Sequence, residues 1–300
     1  MSHTPDRPPK ITVSRLLEKK QAREPIVVVT AYDCPTARLA EEAGVDALLV
    51  GDSLAMVVLG HPNTLSVTMD EMLHHARAVS RGATRPLLIG DLPFMSYQAA
   101  PADAVRNAGR FLAEAGMDAV KLEGGRRLAE TVRAIVEAGI PVQGHIGLLP
   151  QSEKAMGGLR VQGRTAASAR ALLDDALALE DAGCFSLVIE GVPARVATEI
   201  TSRLAIPTIG IGAGSDTDGQ VLVVHDLLGL YERSPRFVKR YADLGRATVQ
   251  ALTAYREDVA ARRFPGPEHT YAIPDEEWNA FAAELRRPVS RRTFGGDRRR

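Results

Sequence analysis

Four apolar runs in the chain each end on a carboxylate: LLVGD on Asp52, LLIGD on Asp91, AVKLE on Glu123 and LVIE on Glu190. Short runs of Val, Ile and Leu read as strands buried on both faces of a parallel sheet, so an acid at each exit faces a shared polar mouth. Acids gathered there repel one another and resist desolvation, and they coexist only with a cation or a proton. Oxygen ligands without paired Cys or His select a hard ion. Mg2+ typically takes one or two carboxylates and keeps water or substrate oxygens. The pattern predicts Mg2+ at Asp52, Asp91 and Glu123. Singly, each acid is more commonly a helix cap or a surface ion pair; three at matching strand ends weigh against that.

Glu190 stands apart from these three. Preceded by SLVI and followed by GVP, it is expected low in an apolar mouth, where desolvation raises a carboxyl pKa and suits it to general acid or base work. Lys121 lies two residues before Glu123, so on a strand both point the same way, into the sheet interior. There an ammonium binds a substrate carboxylate or steadies an enolate oxygen, or else it pairs with a neighbouring acid. Ser53 follows Asp52 and is placed either to bond the same anion or to cap a turn. His145 ends the fifth apolar run and is a candidate polariser of a carbonyl, against a structural barrel histidine. His74 and His75 fall mid-helix, with at least one expected to face solvent.

The elements that must position these side chains repeat. EEAGVDALLV, AEAGMDAVKL, VEAGIPVQGH and EDAGCFSLVI each join a helix end to a strand start, with Gly44, Gly116, Gly139 and Gly183 free to take the left-handed conformation that stops the helix. Successive glycines lie 72, 23 and 44 residues apart, near three, one and two multiples of a 23-residue βα period. Gly82 is read as the same kind of stop. Counting yields strands near 26–32, 46–52, 86–91, 118–123, 141–145, 185–190, 207–211 and 221–225, separated by helices such as 35–42, 68–81, 101–115, 126–138, 167–182 and 193–204. Eight βα units close a TIM (β/α)8 barrel, whose catalytic face is the rim at the strand C-termini. An open doubly wound sheet is the alternative, but the first strand, IVVVTAYD, lacks its Gly-rich fingerprint. GIGAG at 210–214 serves as a phosphate loop or, more simply, as a tight turn. The Gly/Pro-rich stretch 144–163 is long enough to be an active-site lid, with a plain surface loop as the alternative.

Bulk properties narrow the class. Lys plus Arg and Asp plus Glu number 37 each in 300 residues, which leaves no electrostatic footprint for nucleic acid or an anionic membrane. No apolar stretch approaches the roughly 20 residues that span a bilayer, and the polar start lacks a signal-peptide core, so a cytoplasmic location is expected. Cys34 and Cys184 show no metal-ligand spacing and read as small buried hydrophobes. Residues 1–265 are expected to form a single barrel with an N-terminal helical segment. Residues 266–300 form a C-terminal extension, with a short amphipathic helix near Glu276 docking on the body and a disordered last dozen residues.

The motifs together resemble a known family. TAYDCPTARLAEEAGVDALLVGDS, GHPNTLSVTMDEM, GDLPF, KLEGG, PVQGHIGLLPQS, VIEGVP and IGIGAGSDTDGQVLVVHDLLG occur in order over roughly residues 10–270, and the chain is identified by them as similar to the 3-methyl-2-oxobutanoate (ketopantoate) hydroxymethyltransferases. Segment 96–101 is slightly longer than usual, and the tail beyond Tyr271 exceeds the common family end. The resemblance implies a Mg2+-dependent TIM barrel of the phosphoenolpyruvate/pyruvate type. It implies transfer of a one-carbon unit from 5,10-methylenetetrahydrofolate to 3-methyl-2-oxobutanoate, giving 2-dehydropantoate for pantothenate biosynthesis through a Mg2+-bound enolate. It further implies Asp52 and Asp91 as metal ligands, Glu123 in the metal shell, Ser53 and Lys121 on substrate, and Glu190 as proton acceptor. The implied assembly is a homodecamer of two pentamers. Two rivals remain: another Mg2+-dependent 2-oxo acid lyase or mutase of the same barrel superfamily, and a catalytically silent barrel. A silent barrel has no need to keep all five charged residues.

Overall fold

The computed structural model of the protein describes residues 9–232 and 234–286. Strands β1 (Ile26–Thr30), β2 (Ala47–Val50), β3 (Leu87–Asp91), β4 (Ala119–Lys121), β5 (Val142–Gly147), β6 (Ser186–Glu190), β7 (Thr208–Ile211) and β8 (Gly219–Leu222) close in sequence order into a parallel barrel. All eight expected strands are present. The last begins two residues earlier than expected and stops at Leu222, because Val224 opens a helical turn whose N–H donates to Thr30 Oγ1 at 2.9 Å.

Chain chemistry sets the helix boundaries. Asp33, Thr68 and Thr165 each cap a helix N-terminus through the side chain, and Thr68 with Glu71 forms a reciprocal capping box. Gly44, Gly116, Gly139 and Gly183 all have positive φ, as the repeated junction requires. Gly82 differs. It is the last residue of its helix and is absent from the positive-φ glycines; a Cβ there would strike the Cys34 carbonyl, so close packing of the neighbouring helix demands glycine. Cys34 is only half-buried, correcting the expected burial, whereas Cys184 is buried, which pushes its thiol up to about 12.

Residues alternate across each strand. Outward side chains such as Leu48, Leu88, Val120 and Leu187 pack with helix residues including Leu73, Phe111, Ile135 and Leu179. Inward ones, Val28, Leu49, Ile89, Ala119, Val188, Ile209 and Val221, form a separate cluster joined by Ile11 and Leu16. Helix α1 (Val13–Ala22) brings Leu16 there, fully buried, and so plugs the N-terminal end of the barrel. Its Lys19 pairs with Asp46 and its Lys20 with Asp218, both at 2.7 Å.

The chain separates into two compact units at Gly245 rather than at Pro265, where its composition changes; the helix Leu244–Ala260 runs across that division without a break in its pattern. Within the second unit a further helix spans Asp275–Leu285, where one was expected, with the Trp278 and Phe281 rings 5.9 Å apart. The expected disorder of the last dozen residues lies outside the described residues. Among the described residues no helix is long and apolar enough to cross a membrane.

The floor plug yields a prediction. Leu16→Ala should lower the unfolding free energy by about 2–5 kcal/mol, the usual range for emptying a fully buried leucine site. Urea denaturation followed by circular dichroism measures it, and a loss under about 1 kcal/mol would mean that α1 does not seal the core.

Candidate active site

Period-two alternation carries the interior face of each strand from apolar floor to polar rim. On β3 the inward series is Leu87, Ile89, Asp91; on β4 it is Ala119, Lys121, then Glu123 just beyond the strand. On β5 it is Gln143 and His145, and on β6 Ser186, Val188 and Glu190, in register with their neighbours. Asp52 follows the end of β2. Its backbone N–H donates to Asp91 Oδ2 at 3.2 Å, which fixes it beside β3. Asp52, Ser53, Asp91, Lys121, Glu123, His145 and Glu190 all line one cavity of about 920 Å3. All seven sequence-derived site residues therefore meet at one end of the barrel.

Lys121 Nζ donates to both Asp91 oxygens, at 2.8 and 2.9 Å, in a fully desolvated pair. Burial pulls the lysine down, but Asp91, Glu123 and Asp52 together outweigh it and hold the ammonium above its usual value. Burial lifts the Asp91 carboxyl to about 7, against the pull of Lys121 and with help from Asp52. Burial and then the charge of Asp52 raise Glu123 well above its usual value. One ammonium thus faces three buried carboxylates, and the site is short of positive charge.

That shortage is the test of whether a divalent cation fits. All the donors are oxygens, and with Lys121 occupied by Asp91, a second cation is what would offset the carboxyls of Asp52 and Glu123. Among the described residues no group of three His, Cys, Asp or Glu side chains closes into a metal cage. The donor set therefore fits a hard ion held by one or two carboxylates and completed by substrate and water oxygens, as Mg2+ prefers.

Glu190 departs from expectation. Its side chain keeps 17% exposure, so it sits at the rim, and the heavy desolvation foreseen for it falls instead on Asp91 and Glu123. His145 lies between two acids, Nε2 3.3 Å from Glu190 Oε2 and Nδ1 3.7 Å from Glu123 Oε1, with neither nitrogen hydrogen-bonded. Burial and Lys121 hold its imidazole below the ordinary value and so neutral at pH 7. Ser53 Oγ lies 2.9 Å from the buried Tyr32 hydroxyl. Of the two helical histidines, His74 is exposed and His75 bonds the Tyr32 carbonyl at 2.7 Å.

Sequence reasoning missed Tyr32, Tyr97 and Gln151. Gln151 is buried in a short turn, Pro150–Ser152, inside the long segment after β5. The same segment lends Leu159, Arg160 and Val161 to the cavity wall, so it is a working part of the site rather than a surface loop. Its length was the available signal. Gly212 and Gly214, in the loop after β7, take positive φ, and Gly212 reaches the cavity.

Comparison with known proteins decides among barrels. The family model described as "Ketopantoate hydroxymethyltransferase" matches residues 10–267. The chain belongs to the ketopantoate hydroxymethyltransferase family. It is 58% identical over 269 residues to the 3-methyl-2-oxobutanoate hydroxymethyltransferase of Syntrophobacter fumaroxidans, covering 89% of this chain and 95% of that one. Against the protein of the same name from Carboxydothermus hydrogenoformans it is 56% identical, covering 89% and 97%. Among solved structures it resembles 2,3-dimethylmalate lyase, a PEP mutase/isocitrate lyase superfamily member, with TM-score 0.56, 17% identity and coverage of 97% and 100%. Phosphonopyruvate hydrolase in complex with oxalate and Mg++ matches with TM-score 0.55 and 16% identity, over 92% and 99%. These likenesses are ones of fold, the closed (β/α)8 barrel that was expected.

A linkage prediction follows from Asp91. Its folded pKa is raised, so the folded state holds a proton that the unfolded chain releases near pH 4; the stability this contributes is complete below that pH and lost as pH rises through about 7. Lys121→Met removes the facing cation and leaves an unpaired buried carboxylate. In metal-free protein the variant should lose about 3–5 kcal/mol at pH 8 and distinctly less at pH 5, where Asp91 is neutral. Urea unfolding at both pH values checks this; a loss independent of pH would contradict it.

Proposed function

We propose that the chain transfers a hydroxymethyl group from 5,10-methylenetetrahydrofolate to 3-methyl-2-oxobutanoate, giving 2-dehydropantoate in pantothenate biosynthesis. One observation carries the mechanism. β6 stands four strands from β2 in a ring of eight, so Glu190 faces the Asp52 side across the mouth of the cavity. A 2-oxo acid held between them has its carboxylate and keto oxygen toward the lysine side and its C–H toward Glu190.

Asp52 and Asp91, with Glu123 beside them, would hold Mg2+, which would supply Lewis-acid polarisation of the keto group. Glu190 takes the proton from the carbon next to the ketone. Its partial exposure leaves a route for that proton to solvent. Lys121, held in place by Asp91, steadies the charge that appears on the substrate oxygen, and Ser53 bonds the same anion. His145, neutral and with Nε2 3.3 Å from Glu190 Oε2, lies against that carboxylate and presents a polar ring to the carbonyl. The substrate C–H bond and both C–N bonds of the folate methylene break, one C–C bond forms to that carbon and one C–O bond to a water oxygen, and the protons lost by substrate and water end on the two folate nitrogens, releasing tetrahydrofolate.

The cavity also has room for a second, larger substrate. At about 920 Å3 it far exceeds a five-carbon 2-oxo acid, and its wall includes Met56, Tyr231 and Phe237 beside Arg160 and Arg236. An apolar wall with two cations suits a flat heteroaromatic ring carrying carboxylates, which is what the folate brings. Relatives at 54–58% identity support this activity over a lyase or mutase of the same barrel class. A cytosolic address and a homodecamer of two pentamers complete the proposal.

Two measurements test it. Metal-dependent consumption of 3-methyl-2-oxobutanoate should require methylenetetrahydrofolate; consumption without the folate would point to a lyase. Glu190→Gln should keep Mg2+ and 2-oxo acid binding yet lose about 100- to 10,000-fold in turnover and in deuterium exchange at the substrate C–H, and near-normal exchange would remove Glu190 from the base role.

A further inference from the structure

Behind the acids, outside the cavity wall, lies a buried polar cluster that the proposed mechanism leaves unused. Gln151 is 4% exposed. Its Nε2 donates to Asp52 Oδ2 and to the Leu92 carbonyl, both at 2.9 Å, and its backbone N–H donates to Glu123 Oε2 at 3.0 Å. Its Oε1 accepts from the Tyr97 hydroxyl at 2.7 Å and from Gln98 Nε2 at 3.1 Å. Two donors converge on one end of the amide and two acceptors on the other, so only one orientation satisfies the network. Tyr97 completes it: its oxygen accepts from the Glu123 N–H at 3.2 Å, while its single proton goes to the nearer Gln151.

We propose that Gln151 is the positioning residue of the acidic cluster: by fixing one oxygen of Asp52 and one of Glu123 from behind, it aims the remaining oxygens and sets the site's affinity for a divalent ion. The inference rests on the metal reading above and deepens it. Among the described residues Asp52 Oδ1 carries no hydrogen bond, so the oxygen that Gln151 leaves alone is the one available to an ion. The residue belongs to the segment after β5 that also supplies Leu159, Arg160 and Val161 to the cavity. That segment is therefore tied to the acids by both the carboxamide and the backbone N–H of Gln151. Partners that orient ligands in this way commonly contribute 10- to 100-fold in metal affinity.

Gln151→Ala separates the two roles of the residue, because it deletes the contact to Asp52 and keeps the backbone bond to Glu123. The experiment titrates the full chain with Mn2+ alone and reads free Mn2+ by electron paramagnetic resonance; turnover is measured in parallel against Mg2+ concentration. Gln151→Ala should weaken Mn2+ binding about 10- to 100-fold and raise the Mg2+ concentration for half-maximal rate by a similar factor, with kcat at saturating Mg2+ falling less. Tyr97→Phe, which removes the hydroxyl that orients the amide and accepts from the Glu123 N–H, should shift both in the same direction by less than tenfold. Wild-type Mn2+ affinity in Gln151→Ala overturns the inference, as does a loss of kcat with unchanged metal dependence. Should Gln151→Ala not fold, unchanged Mn2+ affinity in Tyr97→Phe overturns it equally. A wild-type chain that takes up no Mn2+ removes the metal reading and this inference with it, whereas uptake by wild type and variant alike removes this inference alone.

Discussion

One ammonium buried against three carboxylates is the constraint from which the rest of the molecule follows. Lys121 and Asp91 are almost fully removed from water, and so are Asp52 and Glu123. Such a cluster is tolerable only where every remaining donor and acceptor has been placed to serve it. The barrel provides that placement. Its parallel strands put Asp91 and Lys121 in register on neighbouring strands, and its apolar floor keeps water from reaching the pair from below. What the fold does not provide is enough positive charge, and that deficit makes the site receptive to a cation.

The same arrangement divides labour between the two walls of the mouth. The β2, β3 and β4 side is dry and rigid, built from ion pairs and amide contacts, and suits binding and charge stabilisation. The β6 side is wetter, since Glu190 keeps contact with solvent, and suits proton exchange. His145 stands between the sides and stays neutral because it shares the desolvation of the first. Membership of the ketopantoate hydroxymethyltransferase family is compatible with such a split.

Much of this was legible in the chain because barrel strands obey two simple rules, a period of two along the strand and a stop signal after each helix. The acids at strand exits and the lysine two residues before Glu123 followed directly from the first rule, and the count of eight from the second. What escaped belongs to other physics. Gln151, Tyr97 and Tyr32 act through contacts made by loops distant in sequence, which no local pattern encodes. Glu190 carries the same apolar prefix as its counterparts, yet its burial depends on how high on the rim its strand ends. Gly82 resembles the other helix stops in composition, but its need for glycine comes from a neighbouring helix rather than from its own dihedral angles. The division at Gly245 falls inside a helix, where composition does not change.

The clamp at the foot of the barrel reaches further than stability. Ile26 on β1 pairs with Gly219 on β8, so one edge of β1 stays bare until the eighth strand of the barrel joins it. Lys19 and Lys20 of α1 hold Asp46 and Asp218, the residues that lead into the two neighbours of β1. Helix α1 thus straddles the seam where the cylinder shuts, so loosening either ion pair would free one flank of β1 from the element that spans it.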